Sequence, residues 1–171
     1  MLSCPKLKRV THKELVAELL NSQSTLALAT TSPPLATAQP LASPHVAPLF
    51  YLATDALALY WLSSASSLHS RNLKQNPSAA VAIYAPAQHW KQIRGVQMRG
   101  AVVLISGASS RAPILAAYCK RFELGAPFQD RIARSRLYCF QPQWIRYLDN
   151  TKRLGYKFEM TVDGAFTKEP V

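Results

Sequence analysis

Residues 48–100, PLFYLATDALALYWLSSASSLHSRNLKQNPSAAVAIYAPAQHWKQIRGVQMRG, decide the fold. The apolar run His45–Leu52 and its return Leu57–Leu62 (LALYWL) flank Thr54-Asp55, the pattern of a β-hairpin. Pro48 lies inside the first strand, and a residue without a ladder donor belongs on an edge or at a bulge. Serines at 63, 64, 66, 67 and 70 then lead into a short helix over Ser66–Gln75, closed by Asn76-Pro77. Ala79–Tyr84 (AAVAIY) reads as a buried strand. Ile93–Ile105 reads as a long one, whose Gly95 and Gly100 mark bulges or close backbone approach. The hairpin carries apolar residues on both faces, which places one face against a ligand or a second subunit.

Upstream, Leu15, Val16, Leu19 and Leu20 recur at helical spacing, and Thr11 with Glu14 forms a capping box, so an amphipathic helix starts near Thr11 and ends at Asn21. Thr25–Thr31 alternates as a first strand, and residues 32–43 (SPPLATAQPLAS), with three prolines, form a loop. Downstream, Ile114, Leu115, Tyr118 and Phe122 make the apolar stripe of a helix over Ser110–Phe122, and a shorter helix covers Phe128–Arg134. Leu137–Leu148 and Tyr156–Val162, joined by DNTKRLG, are the last strands. About six strands with helices inserted, and no regular βαβ alternation, define a mostly antiparallel α+β barrel with flanking helices.

The length of 171 residues, 49% of them apolar, suits one core, so residues 1–171 form a single domain with loose tails at 1–10 and 163–171. No apolar run approaches the ~20 residues of a membrane span, and MLSCPKLKRV lacks the apolar segment of a secretory signal. The expected compartment is the cytoplasm. Cys4, Cys119 and Cys139 are odd in number and widely spaced, which predicts reduced thiols rather than a disulfide framework. His12, His45, His69 and His89 show no metal-ligand spacing, so no metal site is expected. The net charge of +11 favours an anionic partner: a phosphorylated cofactor, a nucleic acid or an acidic membrane surface.

A phosphate monoester needs donors converging from one side, and a helix N-terminus offers free N–H groups and a favourable dipole. Ser63 at a strand end, Ser67 at the helix start, and His69 or Arg71 in its first turn could supply hydroxyl and cationic donors of that kind; capping the helix and solvating the loop is the commoner use of such serines. On the strand beyond, Gly95, Gln97 and Arg99 share one face, leaving room for a flat ring with Gln97 at its edge, or simply a solvated strand face. Trp61 and Trp90 either stack on a ring or fill core space. No nucleophile–base spacing, GxSxG or P-loop is present, so no catalytic side chain is nominated.

The runs HVAPLFY, LALYWLSS, SLHSRNLKQNPSAAVAIY and W-KQIRGVQMRG together resemble the pyridoxamine 5'-phosphate oxidase-like FMN-binding split-barrel family, over roughly Leu15 to Val162. LDNTKRLGYKFEM, the IRGVQ-x-[KR]-G strand and Lys120-Arg121-Phe122 resemble an uncharacterised bacterial subgroup of it. The resemblance implies a six-stranded split β-barrel that binds FMN non-covalently at a homodimer interface. It implies that Ala47, Pro48, Leu49 and Phe50 run under the flavin, that Leu62 and Ser63 begin the phosphate contacts, and that Ser67, Leu68 and His69 fall on the family's Ser-Arg-Lys triplet. Leu68 brings no charge where the family has arginine, and His69 is a weaker, pH-sensitive donor than lysine. Gln97 is the glutamine expected near the ring, although direct alignment puts Gly95 there.

The Arg-Leu-x-Pro ending of true pyridoxamine phosphate oxidases is missing, so vitamin B6 oxidation is not expected. The resemblance implies instead a flavin-dependent oxidoreductase acting on another small molecule. A haem- or deazaflavin-binding barrel is the alternative within the fold. A basic domain that binds nucleic acid is the alternative outside it, against which the lysines and arginines are dispersed and not interleaved with aromatics.

Overall fold

The computed structural model describes residues 10–32 and 43–162. The loop read over 32–43 and the two tails, with Cys4, therefore lie outside the described residues apart from their boundary positions. Helix α1 (His12–Ser22) starts where Thr11 accepts a hydrogen bond from the Glu14 backbone and Glu14 reaches back to the Thr11 N–H at 2.7 Å, the capping box expected. Its Val16, Leu19 and Leu20 are fully buried.

The strands follow as β1 (Thr25–Ser32), β2 (Ser43–Phe50), β3 (Leu52–Ala53), β4 (Leu59–Ser63), β5 (Ser78–Tyr84), β6 (Arg94–Ile105), β7 (Arg136–Asp149) and β8 (Lys157–Thr161). Helix α2 (Leu68–Gln75) joins β4 to β5; α3 (Ala108–Arg121) and α4 (Gln129–Arg134) join β6 to β7. All pairings are antiparallel, in the order β2-β1-β5-β6-β7-β4-β3, with β8 added to β7.

Only Tyr51 separates β2 from β3, yet these two strands end opposite edges of the sheet. The sheet therefore curls until its ends meet on one chain segment; with β2 and β3 counted as one strand, six strands make up the split barrel expected and β8 extends it through β7 as a seventh. Tyr51 is fully buried at this seam and donates its hydroxyl to the Leu20 carbonyl, tying α1 to the closure. β2 is the edge strand that Pro48 required, since it pairs only with β1. β7 spans the whole barrel: β4 pairs with residues 136–140 of one edge and β8 with residues 144–148.

Among the boundaries that differ from the sequence reading, two have a local physical reason. The hairpin return begins at Leu59 rather than Leu57, because the turn consumes two more residues: Thr54 N–H bonds to the Ala58 carbonyl and Leu57 adopts φ 64°. Leu57 is nonetheless buried, so its apolar character reports core packing and not a strand. Helix α2 begins at Leu68 because Ser67 is its N-cap, in extended conformation with its side chain accepting from the Ser70 N–H.

The barrel interior is filled by Leu28, Leu59, Trp61, Ile83, Met98 and Phe140, all nearly or fully buried, each removing apolar surface worth about 1.5–3 kcal/mol from water. Trp61 thus takes the core role, stacked 5.7 Å from Tyr138, whereas Trp90 is half exposed at 48%. Among the described residues no helix is long and apolar enough to cross a membrane.

Candidate functional site

The strand β4 ends at Ser63, and the chain turns through Ser64–Ser66 into α2. That turn exists because Ser67 bonds the Ser64 carbonyl at 3.0 Å and caps the helix, so the capping role of the serines is realised. The same geometry also builds a cluster. Ser63 Oγ lies 2.6 Å and Ser67 Oγ 3.0 Å from His69 Nε2, and the two hydroxyls are 3.2 Å apart. Ser70 Oγ lies 2.8 Å from Ser67 Oγ. His69, on the inner face of α2, is only 6% exposed.

The cluster includes a residue the sequence reading did not assign. His45 of β2 lies parallel to His69, ring centroids 6.2 Å apart and planes 7° from coplanar. The strand alternation signals it: Ala47 and Leu49, which share the face of His45, turn towards the barrel, while Val46 (62% exposed) and Phe50 (57%) face outward. On α2, the ring that His45 meets is that of His69. Burial, and then the neighbouring His45, hold the His69 imidazole below its ordinary range, so it is neutral at neutral pH.

Beside Ser63 opens a groove of about 850 Å³, lined by Leu62, Ser63 and Ser64, by Tyr118 of α3, and by Asp130, Arg131 and Arg134 of α4. Burial pushes the Tyr118 phenol up to about 12, and it donates to the Phe50 carbonyl at 3.2 Å, so it stays protonated and fixes β2 against α3. Two guanidinium groups, one carboxylate and a row of hydroxyls suit an anion with a polar body. A serine hydroxyl close to an imidazole is also the geometry of an activated nucleophile, invisible from spacing alone. Among the described residues, however, no carboxylate bonds to His69 to orient it, and Ser67 shares the same nitrogen.

The remaining candidates divide. Ser63, Ser67 and His69 come together, Leu62 lines the adjoining groove, and Leu68 is exposed beside them. Of Ala47–Phe50, Pro48 and Phe50 face outward, while Ala47 is buried and Leu49 packs on the core. Gln97 stands apart, on the outer face of β6, in a groove of about 720 Å³ floored by Ala27, Ala29, Ala80 and Ala82. Its rim is rigid: Arg146 forks onto Glu159 at 2.7 and 2.9 Å, Trp144 donates to Glu159 at 3.1 Å, and the Arg99 guanidinium lies 4.3 Å above the Trp144 ring. The space at Gly95 has a structural use, since a Cβ there would come within 2.9 Å of the Ile83 carbonyl.

Fold and site together define a split-barrel protein with a hydroxyl and imidazole cluster at the strand-to-helix junction and a basic groove beside it. The chain belongs to the pyridoxamine 5'-phosphate oxidase family, whose sequence pattern matches residues 12–149. It is similar to a UPF0306 protein of Photorhabdus laumondii, 28% identical over 103 residues, covering 60% of this chain and 68% of that one. Among solved structures it resembles a haem-binding protein of Mycobacterium smegmatis (21% identity, TM-score 0.69, 91% of this chain and 60% of that chain). It also resembles the haem storage protein HutZ of Vibrio cholerae (19% identity, TM-score 0.60, 74% of this chain and 87% of that one). At such identities the structures establish a common fold.

Proposed function

We propose that the protein binds FMN with its phosphate at the β4–α2 junction and serves as a flavin-dependent oxidoreductase for a small molecule. The observation that carries this reading is the convergence of Ser63, Ser67 and His69 within hydrogen-bond distance of one another, beside a groove with Arg131 and Arg134 on its wall. These donors suit a phosphate monoester: hydroxyls turn to follow its oxygens, the imidazole adds a directed N–H, and the start of α2 faces negative charge favourably. Pro48 and Phe50, on the outer face of β2, are the apolar surfaces offered to a flat ring. Bound FMN would supply hydride and electron exchange, and the chain's part would be to hold, orient and shield it.

A homodimer fits this reading. The alanines of β1 and β5 with Val46 form a grooved, small-residue face that a second copy of the chain would cover, enclosing a ligand between barrels. The unpaired Cys119 and Cys139 suit a reducing cytoplasm.

The test is a titration of the apoprotein with FMN and, as the phosphate-free control, riboflavin. Replacing Ser67→Ala and His69→Ala together should weaken FMN binding about tenfold or more, the worth of one or two charge-assisted hydrogen bonds, and leave riboflavin binding nearly unchanged. Equal FMN affinity in the double variant would remove the phosphate from this junction. Haem is the second reading, favoured by the paired His45 and His69 rings and by the haem proteins of like fold, since imidazole is a common axial ligand. A Soret band in place of flavin absorbance after incubation with both ligands would decide for it.

A further inference from the structure

The family triplet that ends in permanent cations is here Ser67-Leu68-His69, so the cluster holds no fixed positive charge of its own. What stands in place of such a charge is the imidazole of His69 on α2, 2.6 Å from Ser63 Oγ and 3.0 Å from Ser67 Oγ and stacked on His45 of β2. We infer that His69 forms the cationic part of the phosphate grip, taking up a proton as the phosphate binds, so that FMN loading tightens as the pH falls. This rests on the placement of the phosphate proposed above.

The surroundings decide the sign. β4 presents Ser63, whose cross-strand partner on β7 is Arg136. β1, which meets α2 through Thr30 and Thr31, bears no titratable side chain. α2 itself carries Arg71 and Lys74, both exposed, and α3 presents the protonated Tyr118. Across the groove stand Arg131, Arg134 and the single carboxylate Asp130.

Without a ligand, burial and the second imidazole disfavour a charge on His69, and the nearby side chains are mostly cations. A phosphate dianion reverses this, because an opposite charge within hydrogen-bond reach favours the protonated ring. The proton comes from solvent and completes an imidazolium with an N–H on both ring nitrogens, Nε2 being the one that faces the serine cluster. A group that gains a proton on binding makes affinity rise as pH falls, by up to about tenfold per pH unit for one proton. The effect flattens near pH ~6, where the phosphate itself begins to protonate.

The experiment is a set of FMN titrations of the full chain between about pH 6.5 and 8.5, followed by flavin fluorescence, with riboflavin in parallel. Calorimetry in two buffers of different ionisation heat counts the protons taken up. FMN affinity should rise several-fold or more from the alkaline to the acid end, with net proton uptake, while riboflavin affinity stays level. His69→Lys should bind FMN with little pH dependence. FMN binding that is level with pH and takes up no proton would overturn the inference alone and leave the phosphate site standing. A slope unchanged in His69→Lys would also overturn it. FMN binding no tighter than riboflavin at every pH would remove the site and the inference together. If a variant does not fold, proton counting on the unaltered chain still decides.

Discussion

Asp149, the last residue of β7, is 2% exposed and therefore depends on its partners. It accepts hydrogen bonds from the Tyr147 hydroxyl at 2.9 Å and from the Thr151 N–H at 3.0 Å, also bonds the Thr151 hydroxyl, and lies 3.7 Å from Arg94. Burial pushes its carboxyl upward, but the hydrogen bonds from Thr151 and Tyr147 and the Arg94 charge outweigh it and hold it below the usual range. Asp149→Ala, which orphans buried donors, should cost about 2–4 kcal/mol in urea unfolding; a loss under 0.5 would refute this account. Because the folded pKa is depressed, the contribution is present above about pH 4 and is lost as pH falls through the folded value, a decline that Asp149→Asn should blunt. His69 carries the same sign: its neutral form is favoured in the fold, so unliganded stability should fall below about pH 6.5, the range in which an anionic ligand would bind better. Neither Asp149 nor His45 stands out by spacing. Asp149 precedes a turn in the sequence, and His45 is one histidine among four, until strand direction shows which way each points.

At the scale of elements, the long β6–β7 pair turns on one irregularity. Arg99 pairs with Trp144 and Gly100 with Pro142, so Gln143 is the extra residue of a bulge. A Cβ on Gly100 would overlap the backbone carbonyl of Gln141, which cannot swing aside as a side chain can. Gly100→Ala should therefore destabilise by about 1–3 kcal/mol through overpacking, read as a lower urea midpoint with unchanged slope; an unmoved midpoint would show that the strands can part at no cost. The sequence marked this glycine as a bulge or close approach, and it marked α1 down to its capping box, because those signals are local. It did not show that Leu57 would sit in the turn, because an apolar residue drawn into the core from a loop has the same pattern as one on a strand.

For the whole molecule, the proposed flavin site requires a second copy on the alanine face of β1 and β5. Sedimentation should give twice the chain mass of 18.9 kDa, and Ala80→Arg, placing a charge on that face, should shift the protein to monomer and weaken FMN binding with it. A protein that remains monomeric at micromolar concentration while binding FMN tightly would refute the dimer. The alternation of apolar residues and the capping signals by themselves pointed to a mostly antiparallel α+β barrel and to the junction where hydroxyls collect, and the quoted runs, the Ser-to-Asn-Pro segment above all, resembled the family to which the chain belongs. These are written in neighbouring residues, whose spacing fixes helix, strand and turn. Only the tertiary structure decided that β2 and β3 close the barrel through Tyr51, that Gln97 stands on a different face from His69, and that His45 lies against His69. Such relations arise when a sheet curls and brings together side chains far apart in the chain, and which of them then meet is set by packing the whole core at once.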